Sequence, residues 1–433
     1  MKRIAEVREA RRRTYAAAGQ QQQQPLQHTN DSVAANATSP HVGQLDSIPW
    51  GQVSTGYFDG GQVSEYYVEL SIGSPAQPVL MSIDTGSDVA WVQCLPCEEC
   101  YDQSFDYFDP SQSQDFVMTN SQDPYCADLQ ATSIGAGADD SLCLYQTSYA
   151  DGTSSFGYIA KDDFNFWDAG AGSDGVTVSV PGVAFGCGTK NTAGVQTATS
   201  GVLGLGYGRT LSMAEQFYEL GEFSTAFAFC FAPIFSDPNT GWLMFGDGAL
   251  APSDYPSTPL IQGQGFQVYF YVDLVDFVVN GQQVGVPLGT FAIDPNDNKG
   301  GVIVDSGDIV SLMITAAYAP FRAAWLNAVN GILGAPGPPG PDGLDACWDY
   351  PNPTVLPPIG FLFSDGNILQ LGDGGAQLIF LDDNGVQRMC WPFLESRQGE
   401  TFASLVIGAI SLHGMEIVLD TVNHVLAWNP DQC

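Results

Sequence analysis

Twice in this 433-residue chain an apolar run stops at an aspartate, a hydroxyl residue and a glycine, and this duplication limits the fold more than any other feature. The first copy is Met81-Ser-Ile-Asp-Thr-Gly-Ser-Asp-Val-Ala-Trp-Val-Gln-Cys94, entered through Val79 and Leu80. Its apolar lead-in reads as a buried strand. Glycine directly after the strand permits a tight turn, and hydroxyls on both sides of Gly86 can hydrogen-bond Asp84. Alone, Asp-Thr-Gly-Ser is ordinary turn chemistry. The second copy, Gly301-Val-Ile-Val-Asp-Ser-Gly-Asp-Ile-Val310, repeats the order at Asp305, Ser306 and Gly307. Each copy also has a later echo, Gly201-Val-Leu-Gly-Leu-Gly206 and Leu405-Val-Ile-Gly-Ala-Ile410. Short repeat periods make solenoids, whereas one repeat half a chain apart predicts two similar lobes. A pseudo-twofold axis between them brings Asp84 and Asp305 face to face. Carboxyls that close share a proton, so one serves as base and the other as acid.

With these motifs the chain resembles the pepsin-like aspartic proteases, and among them the cysteine-rich, nepenthesin-like group of plants. The resemblance covers roughly residues 66–433. It includes the Asp84-to-Trp91 spacing, a Tyr149-Ala-Asp-Gly-Thr153 segment similar to that group's flap, and Cys94-x-x-Cys97-x-x-Cys100 where the group has a cysteine-rich insertion. Phe185-Gly-Cys-Gly188 and the terminal Cys433 fit as well. The resemblance implies an all-β, bilobal fold with a cleft between two pseudo-twofold-related lobes. Residues 1–50 are then a disordered or propeptide-like segment, 51–252 the N-terminal lobe with Asp84 and the flap, and 253–433 the C-terminal lobe with Asp305.

It further implies an aspartic endopeptidase made as a zymogen, a monomer acting on protein or peptide substrates. Asp84 and Asp305 activate a water, with no covalent intermediate and no cofactor or metal. Thr85 and Ser306 bond across to the opposite turn's backbone, and Gly86 and Gly307 allow the close approach. Ser87 bonds the outer oxygen of Asp84. Tyr149 closes over substrate from a hairpin tip shaped by Asp151 and Gly152, with Trp91 supporting it through an indole–phenol hydrogen bond. Disulfides Cys347–Cys390 and Cys230–Cys433 are implied in the same way. A rival reading is a binding protein on the same fold, such as the plant glycosidase-inhibitor proteins that resemble this group. Retention of both aspartates favours the enzyme.

One position departs from the family. The second turn reads Asp305-Ser-Gly-Asp308, with a carboxyl where a serine or threonine is expected. Without a gap, Asp308 takes the place of Ser87; a one-residue shift pairs it with Asp88 instead. In the ungapped case an ionised Asp308 repels the charge on Asp305, while a neutral Asp308 can donate the bond the missing hydroxyl would supply.

Charge bounds the partners. Against 48 Asp+Glu stand 13 Lys+Arg, six of them within the first thirteen residues. A body so short of cations cannot follow a phosphate backbone, which excludes nucleic acid. The acidic body suits work at low pH, where carboxyls are protonated and repulsion falls, and equally suits solubility alone. Ten cysteines point to disulfides in an oxidising compartment, hence secretion or a vacuole. For Cys94, Cys97 and Cys100 the alternative is zinc or thiol redox chemistry, which four histidines in the whole chain support poorly. The first thirteen residues have no apolar core of a secretory signal. That conflicts with the cysteines and points to an N-terminus truncated or internal to a precursor. No run of eighteen apolar residues is present, so no membrane span is expected.

Along the chain, Gln20–Gln24 and the polar stretch after it are low in complexity. Residues 95–142 read as a loop-rich insertion, 144–166 as a hairpin with a polar Asp-Gly tip, and 211–220 as a helix. Residues 266–279 read as one strand leading to an Asn280-Gly281 hairpin, and 314–329 as a helix ended by Gly331. The Ala335-Pro-Gly-Pro-Pro-Gly-Pro341 run is too short for a collagen helix and reads as a rigid loop.

Overall fold

The computed structural model describes residues 47–430, apart from internal stretches at 58–62, 132–134, 140–141, 168–176, 194–198, 209–210, 222, 234–240, 264, 267, 341–342, 350–354, 373–376, 382–385 and 397–401. The basic and glutamine-rich segment and Cys433 lie outside the described residues. The described chain is mainly β. The strands that position the two aspartates are β1 (Ser47–Tyr57), β2 (Val63–Ile72), β3 (Gln77–Asp84), β4 (Trp91–Gln93), β5 (Leu142–Ser148), β6 (Ser154–Trp167), β7 (Thr177–Thr192), β8 (Gly201–Gly204), β9 (Phe227–Cys230) and β10 (Gly241–Gly246). From the second half come β11 (Ser257–Ile261), β12 (Phe270–Val272), β13 (Val302–Val304), β14 (Ser311–Met313), β15 (Leu405–Ile407), β16 (Met415–Asp420) and β17 (Val425–Pro430).

The sequence repeat becomes a structural one. β3 is apolar enough to be buried on both faces, and Val79 to Ile83 are all buried. β8 lies parallel to it, with Gly204 opposite Asp84, and antiparallel to β4. In the second half β15 lies parallel to β13, with Ile407 opposite Val304, and antiparallel to β14. The echoes thus pass between the strand that ends at the aspartate and the strand that leaves its turn. Glycine is required at the crossing. A Cβ on Gly204 would sit 2.5 Å from the Asp88 backbone, and one on Gly408 would sit 2.6 Å from that of Val310.

Strands from the two halves join in one antiparallel sheet in the order β11, β17, β16, β9, β10, β1. β1 starts at Ser47, so the sheet begins before the residue-50 boundary read from the sequence. Above it, aromatic edges meet faces: Phe217 packs against Phe166 and Phe245 with centroids 5.3 and 4.9 Å apart. In the second half Phe321 stacks on Phe277 at 4.0 Å and meets Trp391 and Phe393.

Three local readings change. The span 266–279 is two strands, β12 and Leu274–Val279, because β12 pairs with β11 and β13 while Leu274–Val279 pairs with Ile359–Phe363. The helix runs Thr315–Leu333, past Gly331, and stops at Gly334, whose φ of 73° and N–H to Asn330 O (3.1 Å) form the true cap. The insertion at 95–142 also holds a short helix, Pro124–Ala131, between strands Val117–Met118 and Gly135–Asp139.

Four disulfides are defined: Cys94–Cys187, Cys97–Cys100, Cys126–Cys143 and Cys347–Cys390. The clustered cysteines of the insertion are therefore oxidised rather than free thiols. Cys230 is also in a disulfide; the Cys433 that the resemblance pairs with it lies outside the described residues. Cys94–Cys187 closes a separation of 93 residues and Cys97–Cys100 one of only 3. Replacing the first pair by serines is expected to lower stability by roughly 2–5 kcal/mol, and replacing the second by distinctly less. Thermal unfolding of the two double variants checks this; equal losses would mean that loop closure is not the source of the stabilisation.

Candidate active site

The β3 strand delivers Asp84 buried at its tip, and β13 delivers Asp305 half-buried opposite it. Their turns interlock. Thr85 N–H donates to Ser306 Oγ (3.1 Å) and Ser306 N–H donates to Thr85 Oγ1 (2.9 Å). Each hydroxyl then donates onward across the site, Thr85 to Val304 O (3.0 Å) and Ser306 to Ile83 O (2.8 Å). Four reciprocal bonds, all buried, fix the two turns relative to each other. The glycines face the opposite carboxyl at contact distance: a Cβ on Gly86 would sit 2.2 Å from Asp305 Oδ2, and one on Gly307 2.4 Å from Asp84 Oδ1.

The two carboxyls touch, and their surroundings differ. Asp84 accepts from Gly86 N–H at Oδ1 (2.8 Å) and from the Ser87 hydroxyl at Oδ2. Asp305 accepts from Gly307 N–H at Oδ1 (2.9 Å). Burial pushes the Asp84 carboxyl up, and the donors at Ser87 and Gly86 pull it partly back. Asp305 is held well above the carboxylate range by burial, then by the charges of Asp84 and Asp308. On rising pH the pair first ionises with its charge favoured on Asp84, while Asp305 keeps the proton.

The β5–β6 hairpin supplies the third side. Its tip is tied by Tyr149 N–H to Thr153 O (2.8 Å) and by Asp151, which accepts from Thr153 N–H (2.8 Å) and Thr153 Oγ1–H (2.7 Å). Gly152 takes the positive φ of 88° that the turn needs. Tyr149 turns inward: Trp91 Nε1–H donates to its Oη (2.9 Å), and the phenol also meets Ser87. A chain of polar contacts thus runs from the buried Trp91 through Tyr149 and Ser87 to Asp84. Burial, then the Asp84 charge, pushes the Tyr149 phenol up, so it stays a neutral donor.

Asp308 stands beside the dyad, pushed up to about 6 by burial and by the charges of Asp84 and Asp151. Asp151 is exposed and reaches the site through its charge rather than a contact. Sequence reasoning did not single out Tyr269. Its phenol is pushed up by burial and then by the charges of Asp305 and Asp84. Its ring packs at 4.6 Å on Phe402, which also meets Phe266 at 5.2 Å, and forms an aromatic wall. A tyrosine inside an alternating strand carries no mark of such a position.

The family models described as "Xylanase inhibitor N-terminal" and "Xylanase inhibitor C-terminal" match residues 66–247 and 269–430. Aspartic proteinase nepenthesin-1 of Nepenthes gracilis is 30% identical over 374 residues, covering 85% of this chain and 78% of its own. Aspartyl protease family protein 2 of Arabidopsis thaliana is 32% identical over 371 residues, 85% of this chain and 71% of its own. Among solved structures, edgp superposes with a TM-score of 0.69 at 16% identity, covering 88% of this chain and 95% of its own. Basic 7S globulin from soybean gives 0.64 at 17% identity, covering 88% and 96%. The two structures share the fold.

Proposed function

Because the chain belongs to the pepsin-like aspartic proteases, we propose that it is an endopeptidase in which Asp84 and Asp305 hydrolyse peptide bonds at acid pH. The observation that carries the reading is the pair of touching carboxyls with unequal donors. Asp84, with two donors, holds the charge and takes a proton from a water set between the carboxyls. Asp305, neutral, donates to the scissile carbonyl as that oxygen gains charge. Collapse of the tetrahedral intermediate returns a proton to Asp305 from its hydroxyl, and the proton held by Asp84 goes to the leaving nitrogen. Bonds and charges balance without a covalent intermediate. Thr85, Ser306, Gly86 and Gly307 hold the approach, and Tyr149 positions substrate with Trp91 behind it. The disulfides suit an oxidising compartment, and no helix among the described residues is long and apolar enough to cross a membrane.

Digestion of an unfolded protein across an acid pH series tests the reading, with and without a transition-state-mimicking inhibitor of aspartic proteases. Cleavage abolished by the inhibitor is expected. A folded chain inert at every pH would sink it and favour the second reading, a binding protein, which the inhibitor-named family models support. Loss of cleavage on chelation without inhibitor sensitivity would point to a metallohydrolase.

The hairpin gives a graded result. Tyr149→Ala is expected to lower kcat on the order of 10- to 100-fold, because substrate is no longer held or shielded. Tyr149→Phe, which keeps the ring and loses the acceptor for Trp91, is expected to fall between that variant and the parent. Steady-state kinetics check both, and unchanged constants for Tyr149→Ala would place the lid elsewhere.

A further inference from the structure

Strand register resolves which residue of the second turn corresponds to Ser87. In the first half Trp91 lies opposite Val202, two residues before Gly204, and in the second Leu312 lies opposite Val406, two residues before Gly408. Trp91 is seven residues after Asp84, and Leu312 is seven after Asp305. No residue is gained or lost between aspartate and outgoing strand, so Asp308 occupies the place of Ser87. The backbone agrees: Gly86 and Gly307 each donate their N–H to Oδ1 of the aspartate two residues earlier.

The substitution leaves the two aspartates differently served. Asp84 has a hydroxyl on its Oδ2; among the described residues no hydroxyl donates to Asp305. Resting on the reading of Asp84 and Asp305 as the catalytic pair, we propose that Asp308 is a positioning residue. As a neutral acid it donates to Asp305 in the role Ser87 plays for Asp84, and its ionisation shuts the site down. The groups that face it are all acidic or neutral. Asp84 and Asp305 stand in the two turns, and Asp151 on the hairpin. The helix Ala409–Leu412 holds its backbone through Ala409 N–H to Asp308 O (2.8 Å) and brings no titratable group. Beneath lie Ile309 and Val310, packed among Ile410, Leu344 and Leu378. Each lysine and arginine among the described residues is paired with a carboxylate elsewhere.

With no cation among the described residues left to offset it, a charge on Asp308 is added to the one already on Asp84. Negative charge then grows on the substrate oxygen against two carboxylates instead of one. Burial and the charges of Asp84 and Asp151 push Asp308 up to about 6, and burial with the charges of Asp84 and Asp308 holds Asp305 well above its ordinary range. In this proposal the loss of the Asp308 proton sets the alkaline limb of activity.

The test is the pH profile of kcat for the parent, Asp308→Asn and Asp308→Thr, with thermal unfolding at each pH as a control. Both variants keep a donor and cannot ionise, so their alkaline limb is expected to move up by on the order of one pH unit with the acid-side rate retained. Asp308→Ala should show the same shift with a several-fold lower maximum, having neither donor nor charge. If the Asn and Thr variants fold and keep the parent's limb, or lose rate equally at every pH, Asp308 has no such role, while the dyad reading stands. A parent with no inhibitor-sensitive cleavage at any pH overturns the dyad reading itself.

Discussion

Asp84→Asn and Asp305→Asn are each expected to lose proteolysis by roughly 10²–10⁴-fold or more, since each removes one half of the proposed acid–base pair, and each variant is expected to stay folded. Asparagine keeps the shape and can still meet the turn. At position 84, however, it cannot take a proton from water, and at position 305 it cannot give one to the carbonyl. The stability side has a definite sign. Both carboxyls are raised by burial, Asp305 the more so. A group raised on folding contributes stability at low pH that is lost as pH climbs through its folded value. The parent therefore loses stability on going from acid to neutral pH through these two groups. Each asparagine variant escapes part of that loss and is expected to unfold at the parent's temperature or above near neutrality, with the gap closing in acid. Activity assays and thermal scans at both pH values check the pair of effects. Near-native turnover in either variant would mean that the chemistry lies elsewhere.

Gly86→Ala is expected to cut activity on the order of 10²-fold by a different route. A methyl there would sit 2.2 Å from Asp305 Oδ2, inside any tolerable contact, and the turn is held by four buried cross-bonds that leave it little room to retreat. Asp305 must move by about an ångström, and misplacement of that size costs on the order of 10²-fold. Overpacking adds a stability loss of roughly 1–3 kcal/mol. Gly307→Ala, with its methyl 2.4 Å from Asp84 Oδ1, should behave alike. Gly331→Ala is the control: it lies in a helix with nothing within 4 Å of its Cβ, and should keep full activity and gain roughly 0.5–1 kcal/mol. Gly86→Ala with the parent's rate would show that the close approach of the turns is not required.

Features set by a few neighbouring residues are legible before the chain folds. An apolar run ending in Asp-Thr-Gly or Asp-Ser-Gly marks a buried strand, a tight turn and an aspartate at its tip, because burial and turn chemistry act over short stretches. Its duplication is enough to predict two related halves, and the Asp-Gly tip after residue 148 is enough for the hairpin. Other features wait on contacts between distant segments. The helix that runs past Gly331 to Gly334 depends on which glycine takes a positive φ. The division of 266–279 depends on partner strands that lie far along the chain. Cys94 could join its neighbours in a metal site until β4 and β7 bring it against Cys187. Tyr269 comes within range of the dyad's charge because β12 lies beside β13. The choice between Ser87 and Asp88 as the counterpart of Asp308 turns on a single residue of register. Side-chain pattern fixes which face of a strand is buried, but the partner and the offset are set by hydrogen bonds between segments hundreds of residues apart.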